Sequence, residues 1–367
     1  MTALRLTPVK HTALGFGAEG SGSEWHRPES GFRVGQVIDD RYQIVELLWR
    51  GATAHVCRVR HHILGRFFAL KTLRAEWGRN PELVERLLRE ARALASLNHP
   101  NIISVVDSGW LPSGEPYFVM EYAEGVSLDR WLQAGPIDAD LALEVAIGIC
   151  DALEAAHRLG IVHRDLKPEN IWVDRRGGAC SVKVLDFGLA QVSGQRRLTH
   201  PSTTQGTPEY MSPEQASGVP ADARSDLYSL GVLLYEMLCG RLPFDADSYV
   251  GLAHQHRYAP VPPFRRWLPA ESAAFRLETV VLRCLEKAQE PRFSSAAQLG
   301  QALARLRARS ETLKLLPAVV RLARSPLPAV QSSSAPPGLR RLSYARLLCW
   351  VLVGAFLGGL IYGLLSY

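Results

Sequence analysis

No two of the six cysteines form a C-x-x-C pair; Cys57, Cys150, Cys180, Cys239, Cys284 and Cys349 lie far apart along the 367 residues. Neither a zinc site nor a disulfide framework is indicated, and reduced, buried thiols in a cytosolic body are the simpler expectation. The opening stretch MTALRLTPVKHTALGFG lacks the apolar core of a signal peptide, so export through the N-terminus is not expected. Most of the chain also lacks excess positive charge, although its net charge is +6. Nine of the 42 basic residues but only one of the 36 acidic ones fall between Arg305 and Arg346, leaving 33 basic against 35 acidic elsewhere. A basic body for DNA or RNA is therefore not supported, and no nucleic-acid partner is expected.

With 47% hydrophobic and 21% charged residues, most of the chain has the composition of a folded globular protein. Its length exceeds what one compact core usually serves, so two lobes or one domain with appendages are expected. No internal repeat is visible. Residues 1–38 mix Gly, Ser, Pro and polar residues without periodicity and read as a flexible leader. From Tyr42 the short runs YQIVELL, HVCRVRHH and RFFALKTL predict successive antiparallel strands. Pro81 to Leu97 opens with proline and spaces its apolar residues at helical intervals, predicting an amphipathic helix. Two more strands follow in NIISVVDSG and PYFVMEY, and beyond Leu128 helical patterns dominate.

After about Leu306 the helical pattern decays, and 309–344 read as a basic, Pro/Ser-rich linker. Leu347 to Leu365 then give 19 residues without a charge. As a helix they would span about 28 Å, near the roughly 30 Å hydrocarbon thickness of a bilayer. The segment 345–367 is thus expected to be a single transmembrane anchor. Arg340, Arg341 and Arg346 before it would keep the body cytoplasmic. Gly354 and Gly358, like Gly359 and Gly363, stand four apart, a spacing that permits close helix pairing and hence a homodimer; glycine is also common in such helices without any such role.

The chemistry is concentrated in HRDLKPEN, His163 to Asn170, followed by DFG at 186–188, with 21 residues from Asp165 to Asp186. Phosphoryl transfer requires an oriented hydroxyl, magnesium held against the phosphates and neutralisation of developing charge. Asp165 would accept the hydroxyl proton, Asn170 and Asp186 would coordinate the metal, and Lys167 would lie near the transferred group. Singly, such side chains are more often turn residues; both motifs in order and at this spacing are specific.

On these motifs the sequence resembles the eukaryotic-like, Hanks-type serine/threonine protein kinases of bacteria, from about Tyr42 to Leu306. The resemblance implies an α+β, two-lobed protein kinase fold over 39–308, with a small antiparallel sheet lobe carrying one main helix and a larger, mostly helical lobe. It implies ATP with Mg2+, or Mn2+ in its place, and protein substrates with Ser/Thr acceptors. Lys71 in FALK, next to Ala69, matches the lysine that holds the α- and β-phosphates, and Glu90 matches its helix partner. YFVMEYA resembles the hinge beneath adenine, with Met120 as gatekeeper and backbone groups of Glu121 and Ala123 facing the purine. Glu214 and Arg292 match a buried ion pair, and Asp226 matches the residue bracing the catalytic loop. GTPEYMSPE carries Ser212 where the family has alanine, and its Thr207 matches a hydroxyl bridging Asp165 and Lys167. Arg164, with Thr199, Ser202, Thr203 and Thr204, implies control by phosphorylation of the activation segment.

The glycine-rich loop departs from the family. G-x-G-x-x-G-x-V aligns with WRGATAHV, so Gly51 and Val56 remain while Trp49 and Ala54 replace two glycines. Stiffer backbone and weaker ATP contact are expected, with catalysis reduced rather than abolished. A membrane-bound pseudokinase scaffold is the alternative; the joint presence of Lys71, Glu90, Asp165, Lys167, Asn170 and Asp186 argues against it. A soluble kinase with its last helix packed in its own core fits poorly, because that helix is apolar on every side.

Overall fold

The computed structural model describes residues 32–178, 180–187 and 208–324. Strands β1 (Val37–Ile38), β2 (Tyr42–Arg50), β3 (Ala54–His61), β4 (Phe67–Leu73), β5 (Val105–Trp110) and β6 (Pro116–Glu121) form one six-stranded sheet. Their order is β1-β2-β3-β4-β6-β5, with every pairing antiparallel. The three runs expected as strands from Tyr42 onward are thus its β2, β3 and β4.

Alternation along β4 decides where its lysine goes. Ala69 and Leu73 join the main core, whereas Phe68 and Leu70 join a smaller core on the opposite face. Lys71 has the parity of Ala69 and Leu73, so its side chain leaves the sheet on the main-core side. There it meets helix α1 (Pro81–Ser96), whose first turn is capped by Asn80 accepting from the amides of Glu82 and Leu83. Leu87, Ala91 and Leu94, at helical intervals, are the buried face of α1.

The helix-rich part begins with β7 (Val126–Ser127), α2 (Leu128–Gln133) and α3 (Ala139–His157). Strands β8 (Ile171–Asp174) and β9 (Ser181–Val184) pair with β7 in the order β7-β8-β9. Then come α4 (Pro213–Ala216), α5 (Ala223–Cys239), α6 (Tyr249–Tyr258), α7 (Phe275–Cys284) and α8 (Ala296–Arg324). Helix α5 is apolar nearly all round and sits at the centre, with Leu227, Leu230, Leu233 and Leu234 fully buried. It stops at Gly240, whose φ of 68° gives a left-handed cap.

Two stretches differ from the sequence reading. The leader was expected to run through residue 38, yet Val37 pairs with Gln43, Ile38 with Tyr42, and the Gly35 amide donates to Ile44 O at 2.8 Å. A two-residue strand is too short to show a period, which is why composition alone suggests a leader. Residues 1–31 lie outside the described residues. The helical pattern was expected to decay near Leu306, whereas α8 continues to Arg324 through Pro317. Proline removes one amide donor from a helix interior, which is why the sequence reads as a break near Pro317. By compactness the chain divides at Thr312, and 313–324, all that is described of the second unit, is the end of α8. Among the described residues no helix is long and apolar enough to cross a membrane, and the apolar run 347–365 lies outside them.

Candidate active site

Three elements distant in sequence converge on Lys71. Its Nζ lies 2.6 Å from Glu90 Oε1 on α1 and 3.0 Å from Asp186 Oδ1, just beyond β9. Burial works against the Lys71 ammonium, but the carboxylates of Asp186 and Glu90 outweigh it and raise its pKa. The two carboxylates differ in exposure, the Glu90 side chain at 14% and that of Asp186 at 42%. Burial drives the Glu90 carboxyl up despite Lys71, whereas at Asp186 the same penalty is overcome by Lys71 and its pKa falls. Lys71 thus favours the ionised form of Asp186, the form in which a carboxylate can meet a metal.

The catalytic loop is held by buried polar groups. Asp226, 1% exposed on α5, accepts from the amides of His163 and Arg164 at 2.8 Å each and lies 2.7 Å from His157 Nε2. Arg164 has a φ of 66°, a left-handed conformation costing roughly 1–2 kcal/mol, which these bonds compensate. Gln215 of α4 completes the clamp by donating to the Arg164 carbonyl at 2.8 Å. On the other side the His163 ring packs against Phe187, centroids 4.8 Å apart, with its Nε2 3.0 Å from Leu185 O. The two motifs of the sequence reading are thus joined through a buried histidine.

Asp165 projects from this loop with its Oδ2 2.9 Å from Lys167 Nζ. Asn170 donates its side-chain amide to Asp165 O at 2.9 Å, which leaves its amide oxygen as the atom able to meet a cation. Among the described residues no three His, Cys, Asp or Glu side chains cluster for a metal. A carboxylate at Asp186 and an amide oxygen at Asn170 are hard donors, suited to magnesium, which takes its other ligands from phosphates and water.

The residues expected beside the purine lie on β3, β4 and β6 and in the connection that follows. Val56 on β3 is the Cα partner of Lys71, and Ala69 that of Met120; Val56, Ala69 and Met120 are all buried in the main core. The Glu121 amide donates to Ser104 O at 2.9 Å, and its carboxylate accepts from Lys183 and the Ser104 amide. Ala123 follows β6 in the connection to β7. Gly51 lies in the β2–β3 turn, and Trp49 has its indole where a Gly51 Cβ would be. Gly188 and the stretch 189–207, which includes Thr199, Ser202, Thr203, Thr204 and Thr207, lie outside the described residues.

The model of the protein kinase domain matches residues 42–303. The chain belongs to the protein kinase family. Within it, this kinase is of the bacterial Hanks-type serine/threonine kind. It is 44% identical over 264 residues to serine/threonine-protein kinase Pkn1 of Myxococcus xanthus, covering 71% of this chain and 38% of that protein. It is 42% identical over 278 residues to serine/threonine-protein kinase PknB of Mycolicibacterium smegmatis, covering 74% and 44%. With serine/threonine-protein kinase PrkC of Bacillus subtilis the identity is 39% over 267 residues, covering 72% and 40%. The kinase thus spans about two fifths of the length of these curated relatives. The crystal structure of the Mycobacterium tuberculosis PknI kinase domain superposes with a TM-score of 0.58 at 24% identity, covering 75% of this chain and 99% of that domain, a likeness of fold alone.

Several residues that shape the site escaped the sequence reading. His157 and Gln215 act through contacts 69 and 51 residues away, which no local pattern announces. Ser212, a departure from the family, caps α4 by accepting from the Gln215 amide while the Gln215 side chain bonds back to the Ser212 amide. The S-x-x-Q spacing was a visible signal for that capping box.

Proposed function

We propose that this protein transfers the γ-phosphoryl group of ATP to serine and threonine hydroxyls of protein substrates. The observation that carries the reading is Lys71 held between Glu90 and Asp186, because that contact sets a phosphate-binding cation beside a carboxylate whose ionised form it favours. Val56, Ala69 and Met120 would enclose the adenine, with the Glu121 carbonyl and Ala123 amide along its edge. Lys71 would bind the α- and β-phosphates, and the backbone at Gly51 would approach them from above. Asn170 and Asp186 would hold magnesium, which when bound offsets charge on the β- and γ-phosphates. Asp165 would orient the acceptor hydroxyl and take its proton, while Lys167, 2.9 Å from it, would offset charge on the moving phosphoryl group.

The deciding experiment is magnesium-dependent autophosphorylation of purified protein beside Asp165→Asn. Incorporation into the wild type and none into the variant supports the reading. No incorporation into the wild type would leave the pseudokinase scaffold, which the replaced glycines at 49 and 54 favour.

The same reading includes a single-pass anchor at 347–365 with the kinase on the cytoplasmic side, supported by the uncharged run and the arginines preceding it. It also includes phosphorylation among Thr199, Ser202, Thr203 and Thr204, supported by Arg164 next to Asp165. Pairing through the glycines of the anchor would hold two kinase domains at high effective concentration and favour phosphorylation of one by the other.

A further inference from the structure

The tip of the β2–β3 hairpin is held from outside the hairpin. The Gly51 amide donates to Ala54 O at 2.9 Å and closes the turn. The two carbonyls at its apex are both taken by the segment preceding α1. The Trp77 indole N–H donates to Ala52 O at 3.1 Å, and the Arg74 amide donates to Thr53 O at 2.9 Å. The Arg74 bond merely extends the β3–β4 ladder, whose last pair is Ala54 with Leu73. The indole bond has no such origin and joins elements 25 residues apart.

The backbone of Trp77 is itself well fixed. It ends the turn Ala75–Trp77, with its amide on Arg74 O at 2.8 Å and its carbonyl accepting from the Asn80 amide at 2.9 Å. The next residue, Gly78, lies directly against the side chain of the buried Glu115, where a Cβ would overlap it. Asn80 then caps α1, the helix that carries Glu90. The backbone at Trp77 is thus anchored to the sheet and to the start of α1, while its side chain, 37% exposed, reaches over the surface to the loop apex.

A fixed carbonyl fixes a donor too. The Ala52–Thr53 peptide is planar and trans, so a carbonyl directed at Trp77 turns the Thr53 N–H the opposite way. Backbone donors at such an apex are what a glycine-rich loop offers to phosphate oxygens, and this loop has lost two glycines that would let those donors adapt. The third, Gly51, is covered by the Trp49 indole. We infer that Trp77 is a positioning residue for ATP, which orients the apex of the nucleotide loop in advance through its bond to Ala52 and so replaces the adaptability of the missing glycines. Fixing a donor beforehand lowers the ordering cost of binding. The inference rests on the kinase reading of the same cleft.

The test is Trp77→Phe, which keeps an aromatic ring and removes the donor. Titration calorimetry with Mg·ATP is expected to show affinity weakened about 2- to 5-fold, because the variant must order the loop apex on binding. The KM for ATP should rise in parallel, while kcat and the KM for a peptide substrate stay at wild-type values and the melting temperature falls by no more than about 4 °C. Equal affinity in wild type and variant, or a rise in both KM values together with a larger fall in melting temperature, overturns the proposal. If wild type itself binds no Mg·ATP, it is the kinase reading that fails. In the wild type, the Trp77 indole N–H should exchange slowly with solvent by NMR, with and without Mg·ATP; exchange at the rate of a freely exposed indole also overturns the inference.

Discussion

Glu214 and Arg292, 78 residues apart, meet as a two-pronged ion pair of 2.8 and 2.9 Å, with the Arg292 residue 1% exposed. The Ser225 hydroxyl donates to the same carboxylate, and Arg292 spends further N–H groups on the carbonyls of Glu286, Lys287 and Arg224. Burial alone would raise the Glu214 pKa, but Arg292 and Ser225 outweigh it and bring the value down to about 2. A folded pKa below the unfolded one contributes stability that is present above about pH 4.5 and lost as pH falls through 2. That contribution is on the order of 2 kcal/mol after allowance for solvent screening. Glu214→Gln should therefore flatten the acid limb of a stability profile measured by urea unfolding. It should also destabilise at pH 7 by about 3–5 kcal/mol, because it leaves Arg292 charged and unpaired. An unchanged acid limb would contradict this account.

Lys71→Met should abolish phosphotransfer and leave the kinase folded. The removed ammonium is replaced by an apolar chain of similar length, and Glu90, already driven up by burial, can take a proton rather than stay charged beside Asp186. Radiolabelled phosphate transfer should be at background, with a circular dichroism spectrum and melting temperature like the wild type. Turnover near the wild-type rate would sink the assigned role of Lys71.

Trp49→Gly combined with Ala54→Gly should lower the KM for ATP about 2- to 10-fold. Trp49 is the Cα partner of Val56, so it leaves the sheet on the cleft side, and its ring covers Gly51. Removing the ring opens the loop backbone to phosphate. Steady-state kinetics at fixed peptide concentration would read this directly, and an unchanged or higher KM would show that the ring does not obstruct the phosphates.

Phosphate should be found by mass spectrometry on at least one of Thr199, Ser202, Thr203 and Thr204 in active protein. Alanine at all four should reduce activity at least ~5-fold, since a phosphate of about −1.5 to −2 charge near Arg164 would order the segment. No phosphate from 198 to 206, or full activity of the quadruple variant, excludes this control.

Deleting 340–367 should move the enzyme from the membrane fraction to the soluble one and make autophosphorylation depend more steeply on protein concentration. Persistence of the truncated enzyme in membranes would defeat the anchor. Full membrane activity of Gly354→Ile with Gly358→Ile would defeat pairing alone.

Elements with a local cause were legible in the chain: the alternating strands from Tyr42, the capped helix from Pro81, and the spacing of Asp165, Asn170 and Asp186. Each leaves a periodic or ordered trace within a few residues. Only the tertiary structure decided that Lys71 reaches Glu90 and Asp186 at once, that Asp226 gathers His157, His163 and Arg164, and that Trp77 takes the Ala52 carbonyl. It also decided that Val37 and Ile38 add to the sheet and that α8 runs past Leu306. These outcomes depend on polar groups finding partners across distant elements once the core has excluded water. Burial makes such bonds obligatory, but sequence separation leaves no pattern by which to foresee them.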